Sequence, residues 1–210
     1  MTEFNALLDE EINHTTDSEI KEECRKIKLL LENYEKTDET VNNLKDYPLV
    51  VDCLSKEYNV EQSEEEKKRR KRALNNFSIL LNQNEIFGLL GPNGAGKTTF
   101  FSLLTGIYSP TSGNAWVSGE SILSNVAKVQ ESIGYCPQFD VLWAELTVEE
   151  HLYFYSKLKN VSSDKIEGIV ENVLNKTLLT PYKTFLVKEL SGGMKRRLSL
   201  GISIVGEPLS

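Results

Sequence analysis

The sequence predicts an α/β fold, on three observations. Strand-like apolar runs crowd the segment from Pro48 to Cys136, and helix-period runs fill the segment after it. Between one strand-like run, Ile86-Phe87-Gly88-Leu89-Leu90, and one helix-like run, Thr99 to Leu104, lies the glycine-rich loop Gly91-Pro92-Asn93-Gly94-Ala95-Gly96-Lys97-Thr98-Thr99. It fits G-x-x-x-x-G-K-[ST], and the strand before it and helix after it are the context that this pattern requires.

Bulk composition sets the frame. A chain of 210 residues with 40% apolar and 26% charged residues can bury a full core, as one domain or as one domain plus an extension. No apolar run approaches the roughly 18 residues of a membrane span. Met1 to Glu10 has neither a basic nor an apolar region of the kind a secretory signal needs, so none is expected. Cys24, Cys53 and Cys136 are odd in number and far apart, which fits free thiols in a reducing compartment rather than a metal or disulfide framework.

Charge divides the chain. Residues 1–46 hold 13 acids and 6 bases, whereas residues 47–210 hold 18 of each. The net charge of −7 therefore belongs to an acidic N-terminal extension, 1–46, and the body, 47–210, offers no electrostatic case for nucleic-acid binding.

The elements follow in order. In the extension, Ile20, Cys24, Ile27, Leu30, Leu31 and Tyr34 recur at helical spacing, with Thr16 and Glu19 placed as a capping box. That apolar stripe either meets a partner or packs onto the domain, packing being the more economical reading. Leu49 to Leu54 reads as a strand ending near Tyr58, and Phe77 to Leu81 and Ile86 to Leu90 as two more. The charged run Glu64 to Arg72 is either a basic signal or nucleic-acid patch, or a solvated hairpin loop between strands; the three glutamates before its bases favour the loop. Gly113 to Val117 and Ile133 to Cys136 are further short strands. Thr147 and Glu150 form a capping box opening a helix over Val148 to Leu158; Lys165 to Leu174 and Lys195 to Val205 are two more helices.

The loop at 91–99 names a ligand class. Its glycines let backbone N–H groups turn inward around a triphosphate, and the helix start behind them adds a favourable dipole. Lys97 supplies a point charge for the β- and γ-phosphates, and Thr98 offers a hydroxyl to Mg²⁺. The expected ligand is a nucleoside triphosphate with magnesium. A second motif is Leu190-Ser191-Gly192-Gly193-Met194. Alone it is a helix entry capped by Ser191, with N–H groups that also suit a phosphate.

The two motifs together resemble the nucleotide-binding domain of ABC transporters, whose signature is LSGGQ. Met194 stands where glutamine is commonest, and Arg197 where the family usually carries arginine. Gly134-Tyr135-Cys136-Pro137-Gln138 is similar to the family's Q-loop, and Tyr58 to the aromatic residue that stacks on adenine. The stretch from Gly134 to Leu158 is most similar to subfamily A, large eukaryotic exporters mostly of lipids, and Asp17 to Ile27 resembles the linker before such a domain. The resemblance covers about residues 48–208.

It implies a P-loop NTPase (RecA-like) core with an antiparallel β subdomain and a helical signature subdomain. It implies ATP and Mg²⁺ as cofactors, with Tyr58, Gly91 to Thr99 and Gln138 around the nucleotide, and Thr98 and Gln138 at the metal. It implies two partners: a second ATP-binding domain, met head to tail so that Leu190 to Met194 faces the partner's ATP, and the transmembrane domains of a transporter. The location implied is the cytoplasmic face of a membrane.

The family's hydrolytic residues, an Asp-Glu pair ending an apolar strand and a later switch histidine, are expected beyond Ser210; Glu207, His14 and His151 are not their equivalents. The chain is therefore expected to be a fragment, incomplete at its C-terminus, that folds poorly alone and lacks ATPase activity, with nucleotide binding expected of the parent domain. Two other readings stand beside the exporter: a soluble ABC-type ATPase acting on ribosomes or DNA, and a regulatory protein that binds nucleotide without hydrolysing it.

Overall fold

A computed structural model describes residues 18–34, 44–60 and 69–206. The chain divides after Gln130 into two compact units, 1–130 and 131–210. No described helix is long and apolar enough to cross a membrane.

The first unit is built on a four-stranded antiparallel sheet. Its strands are β1 (Leu49–Val60), β2 (Arg69–Leu81), β3 (Ser112–Val117) and β4 (Glu120–Ser121), in the order β2-β1-β3-β4. β1 and β2 run the length of a long hairpin, from Leu49↔Leu81 to Val60↔Arg69. The hairpin predicted around the charged run is thus present, but Arg69 to Arg72 belong to β2 rather than to a loop. Arg70 and Arg72 face Glu57 across the ladder, at 3.7 and 3.0 Å, and these cross-strand pairs favour extending the strand over looping. Residues 64–68 of the run lie outside the described residues.

Helix α1 (Ser18–Tyr34) packs on this sheet. Ile27 is buried with Leu44, Val50 and Trp116, and Leu31 packs against them. Glu23 Oε1 accepts a hydrogen bond from the backbone N–H of Leu80 at 2.9 Å, on the edge of β2 that no described strand pairs. Of the two readings of the apolar stripe, packing onto the domain is the one realised; the Thr16 cap lies outside the described residues. Cys24 and Cys53 are half-buried beside Ser78, and burial pushes the Cys53 thiol up to about 12.

Helix α2 (Lys97–Leu104) follows the glycine-rich loop and places Phe100 against Phe77 of β2, ring centroids 4.9 Å apart. Helix α3 (Val126–Ser132) spans the division between the units. The runs Ile86–Leu90 and Ile133–Cys136 are not strands, contrary to expectation. A strand persists when a neighbour takes up its N–H and C=O groups, and no described strand pairs with either run. Ile86 and Leu90 are accordingly almost fully exposed.

The second unit is helical, with α4 (Val148–Leu158), α5 (Ser163–Lys176) and α6 (Gly192–Ile204) around Leu152, Val170, Val173, Leu174, Leu179 and Leu198. The predicted capping box opens α4: Glu150 N–H donates to Thr147 Oγ1 at 3.1 Å, and Thr147 N–H to Glu150 Oε2 at 2.7 Å. The bond from the Thr147 N–H to the carboxylate holds the Glu150 carboxyl below its usual range. Gly201 is where α6 meets α5; a Cβ there would lie 3.0 Å from Val173 Cγ1 and 3.2 Å from Thr177 Cγ2.

Candidate functional site

The glycine-rich loop forms a cradle open to solvent, with residues 91–95 exposed. Gly94 and Gly96 have φ of +85° and +93°, in the left-handed region that side-chain-bearing residues avoid. Gly96 is tied to its position twice over, because a Cβ would fall 2.3 Å from the carbonyl oxygen of Ala73 on β2. It is also the N-cap of α2, and among the described residues no side chain makes a cap hydrogen bond there. The first backbone bond there is Phe100 N–H to Gly96 O, so the N–H groups of Lys97, Thr98 and Thr99 precede the helical ladder. Lys97 Nζ lies across the loop and donates to Gly91 O at 2.6 Å and Pro92 O at 2.9 Å. None of residues 91–99 is acidic. Left-handed glycines, a bare helix start and one cation make a donor set suited to a phosphate chain.

Tyr58 stands one strand away from this cradle. β2 touches the loop at Ala73 and Leu74, and across the hairpin Lys56 pairs with Leu74 and Tyr58 with Lys71. Thr98 is exposed at the start of α2 and offers one oxygen to a cation; a magnesium ion there would complete its shell with phosphate oxygens and water.

Gln138 and residues 190–194 belong to the second unit. Leu190 is buried and anchors the entry to α6, and Ser191 is the N-cap predicted for it, its Oγ accepting from Met194 N–H at 3.3 Å. Gly192 and Gly193 are exposed, with nothing within 4 Å of where a Cβ would stand. Met194 packs against the helical core. Gln138 is exposed, and its neighbours are tied to α6: Arg196 Nη1 donates to Pro137 O, and Ser199 Oγ donates to Asp140 Oδ1 at 2.8 Å. Arg197 donates to Thr177 O and Leu178 O at the C-terminal end of α5, where a cation meets the negative end of the helix. Arg196 and Ser199 carry no motif signal in the sequence, and Asp140 enters there only as part of the stretch similar to subfamily A. A polar residue three after another on a helix is an ordinary solvent-facing pattern, and nothing in it names a partner about 60 positions upstream.

His151 is a core residue. Its Nδ1–H donates to Thr147 O at 2.8 Å while Nε2 accepts from Trp143 N–H at 3.0 Å, and burial lowers its pKa from the usual value. Both bonds require the neutral ring, with no nitrogen left to act on a substrate.

The sequence profile of the ABC transporter family matches residues 74–209, more than half of the chain. The chain belongs to the ABC transporter family. Members of subfamily A are among its relatives. The phospholipid-transporting ATPase ABCA3 of Rattus norvegicus is 43% identical over 169 residues, which is 80% of this chain and 10% of that protein. ATP-binding cassette sub-family A member 2 of Homo sapiens is 44% identical over 161 residues, 76% of this chain and 6% of that protein. The ABC chain thus spans about a tenth or less of the length of these curated relatives.

Among solved structures, cbiO1 from Clostridium perfringens, described as part of the ABC transporter complex cbiONQ, matches with a TM-score of 0.64 and 28% identity, over 78% of this chain and 63% of that one. The ATP-binding cassette MJ0796, a dimer bound to ADP and Pi, matches with a TM-score of 0.65 and 20% identity, over 76% and 70% of the two chains, and shows the fold alone. The fold is that of the P-loop ATPase domains, with the antiparallel sheet and the helical unit both represented.

Proposed function

We propose that residues 47–210 are the ATP-binding domain of a subfamily A transporter, preceded by the acidic segment 1–46, and that ATP binding and hydrolysis drive transport of lipid across a membrane in the whole protein. The cradle at 91–99 carries this reading: open N–H groups at a bare helix start, glycines that admit no side chain, and Lys97 across the mouth. ATP supplies the transferable phosphoryl group. Lys97 holds the β- and γ-phosphates, the loop N–H groups wrap them, Thr98 and Gln138 serve Mg²⁺, and Tyr58 stacks on the adenine. The lipid assignment follows the phospholipid-transporting relative, which is 43% identical.

Residues 190–194 present a helix start whose two glycines stand in open space, a shape suited to the ATP of a second domain met head to tail. The transmembrane domains dock on the helical unit, where Phe139, Val141, Trp143 and Phe154 leave an apolar surface exposed beside Gln138. The domain then sits on the cytoplasmic face of the membrane. Equilibrium titration of the chain with Mg·ATP tests the reading. Saturable binding that Lys97→Ala weakens is expected; equal affinity in the two proteins removes it.

A further inference from the structure

The turn after α2 is fastened to β1 beside Tyr58. The helix ends through Ile107 and Tyr108, whose N–H groups both donate to Ser102 O, at 2.9 and 3.2 Å. The next residues are stitched to β1: Lys56 Nζ donates to Ser109 O at 2.6 Å, Thr111 N–H to Ser55 O at 2.8 Å, and Glu57 N–H to Thr111 Oγ1 at 2.9 Å. The β1–β2 register slips between Lys56 and Glu57, a bulge of the kind that re-aims side chains. The result is a three-part cluster. The Tyr58 and Tyr108 rings meet edge-on, centroids 5.8 Å apart at 83°, and the Lys56 ammonium lies 5.3 Å from one centroid and 5.7 Å from the other. Both are cation–π distances, and the ammonium is itself fixed by the Ser109 carbonyl.

We propose that Tyr108 and Lys56 are positioning residues for base recognition: they hold the Tyr58 ring in one orientation before the nucleotide arrives. This rests on the reading of Tyr58 as the adenine platform. An aromatic platform that is free to rotate gives up side-chain entropy when a base stacks on it, and one already held gives up less. The phosphates are held by a different element, the loop at 91–99, so a positioning role acts on the base and leaves the phosphates alone.

That separation supplies the test. The full chain and its variants are titrated with Mg·ATP and with magnesium tripolyphosphate, which has the phosphates without the base. Tyr108→Ala is expected to raise the ATP dissociation constant about threefold to tenfold, the range of an edge-to-face ring pair, with tripolyphosphate affinity unchanged. Tyr108→Phe, which keeps the ring, restores ATP affinity. Lys56→Met, which keeps the stem and drops the charge, moves it in the same direction as Tyr108→Ala. Equal losses for both ligands would mean a merely structural role and overturn the proposal. Tyr58→Ala separates the two levels of inference. If it leaves the ratio of the two affinities unmoved, the platform reading falls and the proposal with it. If it collapses the ratio while Tyr108→Ala and Lys56→Met do not, only the positioning role is overturned.

Discussion

Replacing Lys97 by alanine sets two contributions against each other. The ammonium in the unliganded loop is not idle, since it donates to Gly91 O and Pro92 O at 2.6 and 2.9 Å. Binding a triphosphate means exchanging those carbonyls for phosphate oxygens. At about 4 Å and an effective dielectric of about 20, a cation and one phosphate charge attract by about 4 kcal/mol. The two surrendered hydrogen bonds, at a half-exposed site, are worth about 1 kcal/mol each net. The difference, about 2 kcal/mol, corresponds to about a thirtyfold increase in the dissociation constant. Stability without nucleotide falls by at most the same amount. Both carbonyls belong to exposed residues and return to water when the ammonium is removed, which the net value already counts, so unfolding in the absence of nucleotide shifts by up to about 2 kcal/mol. Isothermal titration with Mg·ATP and a thermal melt without ligand measure the two quantities on one sample. A variant that melts like the parent and binds ATP equally well would show that the cation does not face the phosphates, and the assignment of the cradle would fail.

Three further outcomes concern the helical unit. Burial lowers the His151 pKa, and its two ring nitrogens are bonded as in neutral imidazole, so the unfolded chain takes up a proton more readily than the folded one. Its contribution to stability is present above the unfolded value near 6.5 and declines as pH falls below it; urea midpoints at pH 8 and pH 5.5 should diverge more for the parent than for His151→Gln, and identical divergence refutes the reasoning. Thr147→Ala removes the cap accepting from Glu150 N–H and should cost about 1 kcal/mol, with Thr147→Ser near neutral; a loss by serine equal to that by alanine would point to packing instead of the cap. Gly201→Leu gains up to about 1 kcal/mol of helix propensity but forces side-chain atoms past Val173 Cγ1 and Thr177 Cγ2, a cost of about 1–3 kcal/mol, so a net loss in chemical denaturation is expected and a net gain would show that α5 and α6 separate easily.

What the sequence discloses depends on how local its cause is. The capping box at Thr147 and Glu150, the Ser191 cap and the bounds of α4 are set by residues within four positions of one another, and all three were legible. The loop at 91–99 was legible for the same reason, since its glycines answer a local backbone requirement. The strands expected at 86–90 and 133–136 failed because apolar runs state a preference, whereas a strand requires a partner elsewhere in the chain. Arg69 to Arg72 misled in the opposite sense. Composition suggested a loop, but Glu57, a dozen or more positions away, draws Arg70 and Arg72 into the ladder. The fastening of Pro137 and Asp140 to α6, and of Tyr108 to β1, span about 50 to 60 positions and leave no periodic or motif signal in a single sequence.

The two features proposed to meet phosphate are both helix starts, but they are built differently. At α2 the cap is a left-handed glycine with no side-chain bond, so the leading N–H groups are uncommitted and a lysine stands over them. At α6 the cap is a serine whose Oγ already takes the N–H of Met194, leaving the N–H groups of Gly192 and Gly193, with Lys195 the first cation after them. A site with a cation and several open N–H groups binds a triphosphate by itself, whereas two neutral N–H groups in open space add a smaller increment to a phosphate already held. In the head-to-tail pair proposed above, the loop would therefore hold ATP first, and the partner's residues 190–194 would add to a phosphate already held.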